Sequence, residues 1–237
     1  MKKRIWELDA LRGLCILGVI FVHLVYDLVE LYQLIQWDYP PLFSFIKDWG
    51  GILFLLISGI SITLGSHCIR RGLVVFAAGM VISAVTWGMY YFNFADKSII
   101  IYFGVLHCLG VCMLLWPLFH KLPHWALALI GAALVALYFH HLRTLDPPAT
   151  QWLMPLGLPG VGFASSDYFP LLPHFGFFLL GSALGKSVYK KKKSLFPCVK
   201  GKNPIIRFFM WCGKHSLWIY LLHQPILSGI LFLISMI

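Results

Sequence analysis

Apolar residues run along the chain in seven long blocks, and polar residues gather in the short gaps between them. The blocks lie near Leu11–Tyr32, Trp49–Ser66, Gly72–Phe92, Ser98–Phe119, Trp125–His141, Tyr168–Gly185 and Ser216–Ile237. Runs of about 17–25 such residues read as helices that cross a bilayer. Only Asn93-Phe94-Ala95-Asp96-Lys97 divides the third block from the fourth. Pro170 and Pro173 predict a kinked or late-starting sixth helix. Pro204–Trp211 predicts a short helix at the membrane interface before the last block. The expected fold is all-α: a polytopic membrane helix bundle of about seven transmembrane helices. Residues 1–237 read as a single integral-membrane domain.

Composition agrees with the pattern. Apolar residues make up 59% of the 237 and charged residues 12%, against about 45–50% and 25% in soluble domains. The mean hydropathy of +0.81 excludes a soluble globular or a disordered chain. The nine Trp and nineteen Phe suit a chain that meets lipid headgroups.

The formal net charge is +10, and its distribution decides what it means. With the N-terminus cytoplasmic and seven crossings, sixteen of the nineteen basic residues fall inside beside Glu7 and Asp9. Lys47, Lys97 and Arg143 fall outside with seven acids, leaving +14 inside and −4 outside or in the outer half. The positive-inside rule therefore predicts a cytoplasmic N-terminus, an extracytoplasmic C-terminus and a multi-pass protein of the cell membrane. Lys190 to Lys193, before the last span, read first as a topology determinant touching anionic lipid. They read second as a funnel for an anionic cytosolic ligand. No nucleic-acid-binding module is visible. The first block carries His, Asp and Glu and lacks a small-residue cleavage site, unlike a cleaved signal.

The first span holds the most informative residues. At 100° per residue, with Arg12 at 0°, His23 falls at about 20°, Glu30 at about 0°, and Asp9 and Asp27 at about 60°. Five ionisable residues thus share one wedge. Arg12 lies roughly 16 Å below His23 and Glu30 roughly 10 Å above it. Ionisable groups at such depth face a bundle interior or a water-filled cavity and mark a path for chemistry. The bland reading is a structural His23–Asp27 pair, with Arg12 snorkelling to the headgroups. His107, His223 and His174 lie at similar depth in spans four, seven and six. Singly each reads as a core histidine; together with His23 they predict a shared polar cavity. Most of the six cysteines lie in spans or on the cytoplasmic side, where disulfides are disfavoured; Cys108 and Cys112, four apart, read as small packing residues, and no Cys/His set has metal-site spacing. Gly50-Gly51 at the start of the second span, Ser58-Gly59-Ile60-Ser61 within it and Gly65 beyond predict close helix approach or space for a ligand arm.

An ordered set of motifs then carries a resemblance. Arg4-Ile5-Trp6-Glu7-Leu8-Asp9-Ala10-Leu11-Arg12-Gly13 opens a helix that continues to Phe21-Val22-His23. Leu53 to Ser61 follows, then Phe103-Gly104-Val105-Leu106-His107 and Asp167-Tyr168-Phe169-Pro170-Leu171-Leu172-Pro173. Phe178-Leu179-Leu180-Gly181, Gly213-Lys214-His215-Ser216-Leu217 and Tyr220-Leu221-Leu222-His223-Gln224-Pro225 complete the order. Over nearly its whole length the chain resembles bacterial relatives of the heparan-alpha-glucosaminide N-acetyltransferase catalytic domain. These belong to a broader group of transmembrane acyltransferases. The resemblance implies transfer of an acyl group, usually acetyl, from cytosolic acyl-CoA to a sugar or glycan amine or hydroxyl across the membrane. It implies acetyl-CoA or another acyl-CoA as co-substrate, no metal, and admits a homodimer. The lysosomal enzyme's proposed catalytic histidine lies in a loop after the first helix, whereas Tyr32–Asp48 here holds no His. The catalytic role is therefore carried onto His23, with Asp27 orienting it. Asp9, Arg12, His107 and Lys214 are the expected donor-binding residues, and Glu30, Asp167, His174 and His223 the acceptor-binding ones. A proton-coupled transporter using the same stripe as a relay is the rival reading. It lacks an internal repeat and matching interrupted helices. A non-catalytic scaffold leaves the stripe unexplained.

Overall fold

A computed structural model describes residues 5–197 and 203–235, apart from the side chains of residues 48 and 235. Lys2, Lys3, Arg4, Cys198, Lys200 and Lys202, used above for topology, motif or cysteine chemistry, lie outside the described residues. Every apolar block forms a helix. These are α1 (Trp6–Tyr26), α2 (Pro41–Leu64), α3 (Cys68–Tyr91), α4 (Val105–Phe119), α5 (His124–His140), α6 (Leu171–Val188) and α8 (Ser216–Ser235). The predicted interface helix is α7 (Pro204–Lys214), started by Pro204 and capped by the Asn203 side chain on the Ile205 amide. No strand occurs among the described residues; Phe103 and Tyr168 form one isolated bridge.

Five helical stretches are long and apolar enough to cross a membrane: Trp6–Leu31, Cys68–Tyr91, His124–Thr144, Leu171–Val188 and Ser216–Ile234. A sixth arises if Pro41–Lys47 and Trp49–Leu64, which meet at 40°, count as one span. The fourth block differs from expectation. Residues Ser98–Gly104 stay outside the helix, leaving the 15 residues of α4, about 22 Å long against a hydrocarbon core of about 30 Å. The sixth helix does start late, at Leu171, with non-helical backbone at Leu172.

The chain divides into two compact units, Met1–Ile57 with Lys191–Ile237, and Ser58–Lys190. In the first, α1 packs against α7 and α8. A Cβ at Gly13 would strike the Phe209 carbonyl, and one at Gly213 the Asp9 carbonyl, so α7 lies antiparallel against the first turns of α1. Glu7 ties down the segment that precedes α7 by accepting from the Ser194 hydroxyl and the Leu195 amide, both at 2.8 Å. In the second unit, Gly131 of α5 and Gly176 of α6 each face the other's carbonyl. Gly59 meets the Phe178 backbone, and the Ser182 hydroxyl bonds the Gly59 carbonyl. Gly59 thus serves close helix approach, the first of its two sequence readings. Lys186 of α6 donates to the His120 and Leu122 carbonyls at the end of α4, both at 2.6 Å. At the other end, the Phe169 amide donates to the Phe103 carbonyl. Those two ties make α4 and α6 parallel.

Candidate functional site

The site in the first unit forms where two irregular helices meet. α1 does not end at Tyr26 but passes into a π turn, Asp27–Leu31, closed by Tyr32 N–H on the Asp27 carbonyl at 2.8 Å. Such i→i+5 turns occur chiefly as single bulges, often at functional sites. The wider turn breaks the 100° spacing. Asp27, which opens the turn and still follows α1, is buried at 1% exposure, while Glu30, inside the turn, is at the surface and accepts from the Tyr39 hydroxyl at 3.1 Å. The predicted alignment of Glu30 with Arg12 is therefore corrected. Opposite the π turn, α8 contains Pro225, which cannot donate to the Leu221 carbonyl one turn back.

Three contacts join these helices. The His23 and His223 rings stand edge to face with centroids 5.0 Å apart. Gln224 Nε2 donates to both Asp27 carboxylate oxygens, at 2.8 and 3.0 Å. The Tyr32 hydroxyl donates to the Ser228 carbonyl at 2.9 Å. Residue numbers rise together on both sides, so α1 and α8 are parallel. Asp27 takes its hydrogen bonds from Gln224 across the helix pair, not from His23 one turn back. His223 Nδ1 lies 2.6 Å from the Tyr220 carbonyl. A carbonyl only accepts, so Nδ1 carries the proton and Nε2 of the neutral ring is a lone pair. That Nε2 and Gln224 Oε1 are buried with no hydrogen-bond partner.

At the other end of α1, Asp9 and Arg12 form an ion pair at 3.1 Å. Gly213 packs on the Asp9 backbone, which brings the exposed Lys214 to the same helix end. An apolar cavity of about 300 Å³ opens there, lined by Trp6, Leu11, Phe196 and Phe209 among others.

His107, Asp167 and His174 belong to the second unit and gather at the start of α4 and α6. Asp167 Oδ2 accepts from the Val105 amide at 3.1 Å, the first turn of a helix whose dipole favours a carboxylate. His107 Nδ1 accepts from the Gly104 amide at 3.2 Å, and its Nε2 meets the Ser83 hydroxyl at 3.4 Å. Ser83 in turn donates to the Ile101 carbonyl. The ring packs on Gly79, where a Cβ would lie 3.0 Å from it. His174 Nδ1 lies 2.6 Å from the Pro170 carbonyl, and its ring lies against Phe169. Among the described residues, no group of three or more His, Cys, Asp or Glu could hold a metal.

The family model described as heparan-alpha-glucosaminide N-acetyltransferase, catalytic, matches residues 4–225. The chain belongs to this family. Membership places it among the membrane acetyltransferases. No curated protein and no solved structure matches it. The matched range holds every residue of the sites from Asp9 to Gln224. Among the acetyltransferase's polar contacts, Gln224, Tyr32, Ser228 and Ser83 were not singled out from the sequence. Gln224 carried the clearest signal, an amide inside an apolar span directly after a buried histidine, where polar side chains bond across helices.

Proposed function

We propose that this acetyltransferase takes an acyl group, normally acetyl, from acyl-CoA on the cytoplasmic side. It delivers that group to an amine or hydroxyl of a sugar or glycan on the far side of the cell membrane. The observation that carries this reading is the His23–His223 pair beside the buried Asp27 carboxylate, at the meeting of a π turn and a proline-bearing helix. His23 takes the proton as the acceptor's nitrogen or oxygen attacks the thioester carbonyl. Loss of the C–S bond releases CoA thiolate, which recovers that proton as a thiol. His223, whose ring lies edge to face with His23 and whose Nε2 lone pair is free, gives the proton a second seat. Asp27 stabilises whichever imidazolium forms. Positioned acid–base chemistry contributes roughly 10²–10⁴-fold, and holding both substrates in register adds to it.

Arg12, Asp9 and Lys214, at the basic end of α1, are the groups we assign to the donor's phosphates and polar arm. Glu30 and His223, both in the first unit, are assigned to the acceptor; Asp167 and His174 are assigned to the start of α4 and α6 in the second unit. His107, with both ring nitrogens engaged, is assigned to holding the turn before α4. The parallel course of α1 and α8 within the first unit supports an odd number of crossings between them.

The buried stripe also fits a proton-coupled permease. Purified protein in liposomes separates the two: acyl-CoA consumed with an acylated acceptor supports the acyltransferase. Solute flux without acyl-CoA consumption supports the permease and ends this proposal.

A further inference from the structure

Asp27 is 1% exposed, and its side chain meets a neutral amide rather than a cation. A cationic partner would neutralise the carboxylate. Hydrogen bonds from an amide hold the carboxyl group in place without pairing it with a cation. The one amide nitrogen is shared between both carboxylate oxygens, which fixes their distance from α8. It keeps this grip although its own Oε1 remains buried and without a partner. A second tie lies one turn on. Gln224 Nε2 is 3.4 Å from the Ser228 hydroxyl, and the Ser228 carbonyl accepts from Tyr32, whose amide closes the π turn. The π turn that begins at Asp27 and the amide that meets its carboxylate are therefore one assembly.

We infer that Gln224 is a positioning residue that acts through Asp27, holding its carboxyl group at the α1–α8 contact that also pairs His23 with His223. This rests on the acyltransferase reading. A residue that merely glued α8 to α1 would affect folding, not the rate of correctly folded molecules.

The test is a double-mutant cycle on the full chain reconstituted in lipid, with wild type, Gln224→Met, Asp27→Asn and both together. Met keeps the length and apolar fit of the side chain and removes its donors; Gln224→Asn serves if Gln224→Met does not fold. Labelled acetyl-CoA is the donor, with a glucosamine-bearing saccharide as acceptor, and rates are scaled to folded protein. The expected result is a fall in kcat of roughly 10²-fold for Gln224→Met, the scale of an ångström's misplacement of a reacting group. KM for acetyl-CoA stays unchanged. In the Asp27→Asn background the same substitution changes kcat by less than about 3-fold, because residues acting as a unit are not additive. An equal loss in both backgrounds, or no loss in the wild-type background, overturns the inference while leaving the acyltransferase reading intact. If the wild type itself transfers no label to any acceptor offered, that reading falls and takes this one with it.

Discussion

Both ring nitrogens of His107 are occupied, whereas His223 keeps one buried lone pair without a partner. The two residues should therefore respond differently to truncation. His107→Ala strands the Gly104 amide and empties the space beside Gly79. It should cost about 1–3 kcal/mol of stability, seen as a lower unfolding temperature in detergent, with the rate per folded molecule retained. His223→Ala should keep the fold and lose at least about 10-fold in rate. Equal rates for the two folded variants would contradict the division of labour. The sequence shows both as histidines midway along apolar blocks, since a tautomer depends on which carbonyl or amide faces each nitrogen. The wedge of Asp9, Arg12, His23 and Asp27 was legible from helical spacing alone. Glu30 was not, because a π turn leaves the pattern of residue types unchanged while altering where they point.

At the scale of elements, glycine decides how close α7 comes to α1. The position of α7 was legible from Pro204 and the amphipathic run after it; its seat against Gly13 was not, because an isolated glycine does not name its partner. Gly213→Val should wedge α7 away from the Asp9 carbonyl, at about 1–3 kcal/mol for overpacking. It should also raise KM for acyl-CoA by moving Lys214 away from the Asp9–Arg12 pair. Gly18→Val, where a Cβ meets nothing within 4 Å, is the control and should behave as wild type. Similar unfolding temperatures and KM values for the two variants would remove the α1–α7 contact from the account of the donor end. The late start of α4 has a related cause. Gly104 stands in extended backbone against Asp167 and caps the helix, so the apolar run from Ser98 serves a loop before the helix.

For the whole molecule, helix direction bears on topology. α1 and α8 run parallel and are joined through α2 to α6. Parallel first and last spans require an odd number of crossings. Counting α4, despite its 15 residues, gives seven, and excluding α4 alone gives six, which would set α1 and α8 antiparallel. The account therefore predicts termini on opposite sides of the membrane. Cysteines introduced at Lys191 and Lys97 should react with a membrane-impermeant maleimide from opposite faces of sealed vesicles, and same-side labelling would refute the seven-span arrangement. The all-α fold and the family were legible in the ordered motifs; the pairing of α1 with α8 is a long-range contact between the two ends of the chain.

The central claim is acyl transfer by the His23–His223 pair. Its most direct test is label transfer from acetyl-CoA by purified protein in sealed proteoliposomes, wild type beside His23→Ala, with a glucosamine-bearing saccharide inside. The account predicts a labelled saccharide with wild type, and none with His23→Ala although that variant inserts and still binds acetyl-CoA. Transfer by His23→Ala at the wild-type rate would contradict it.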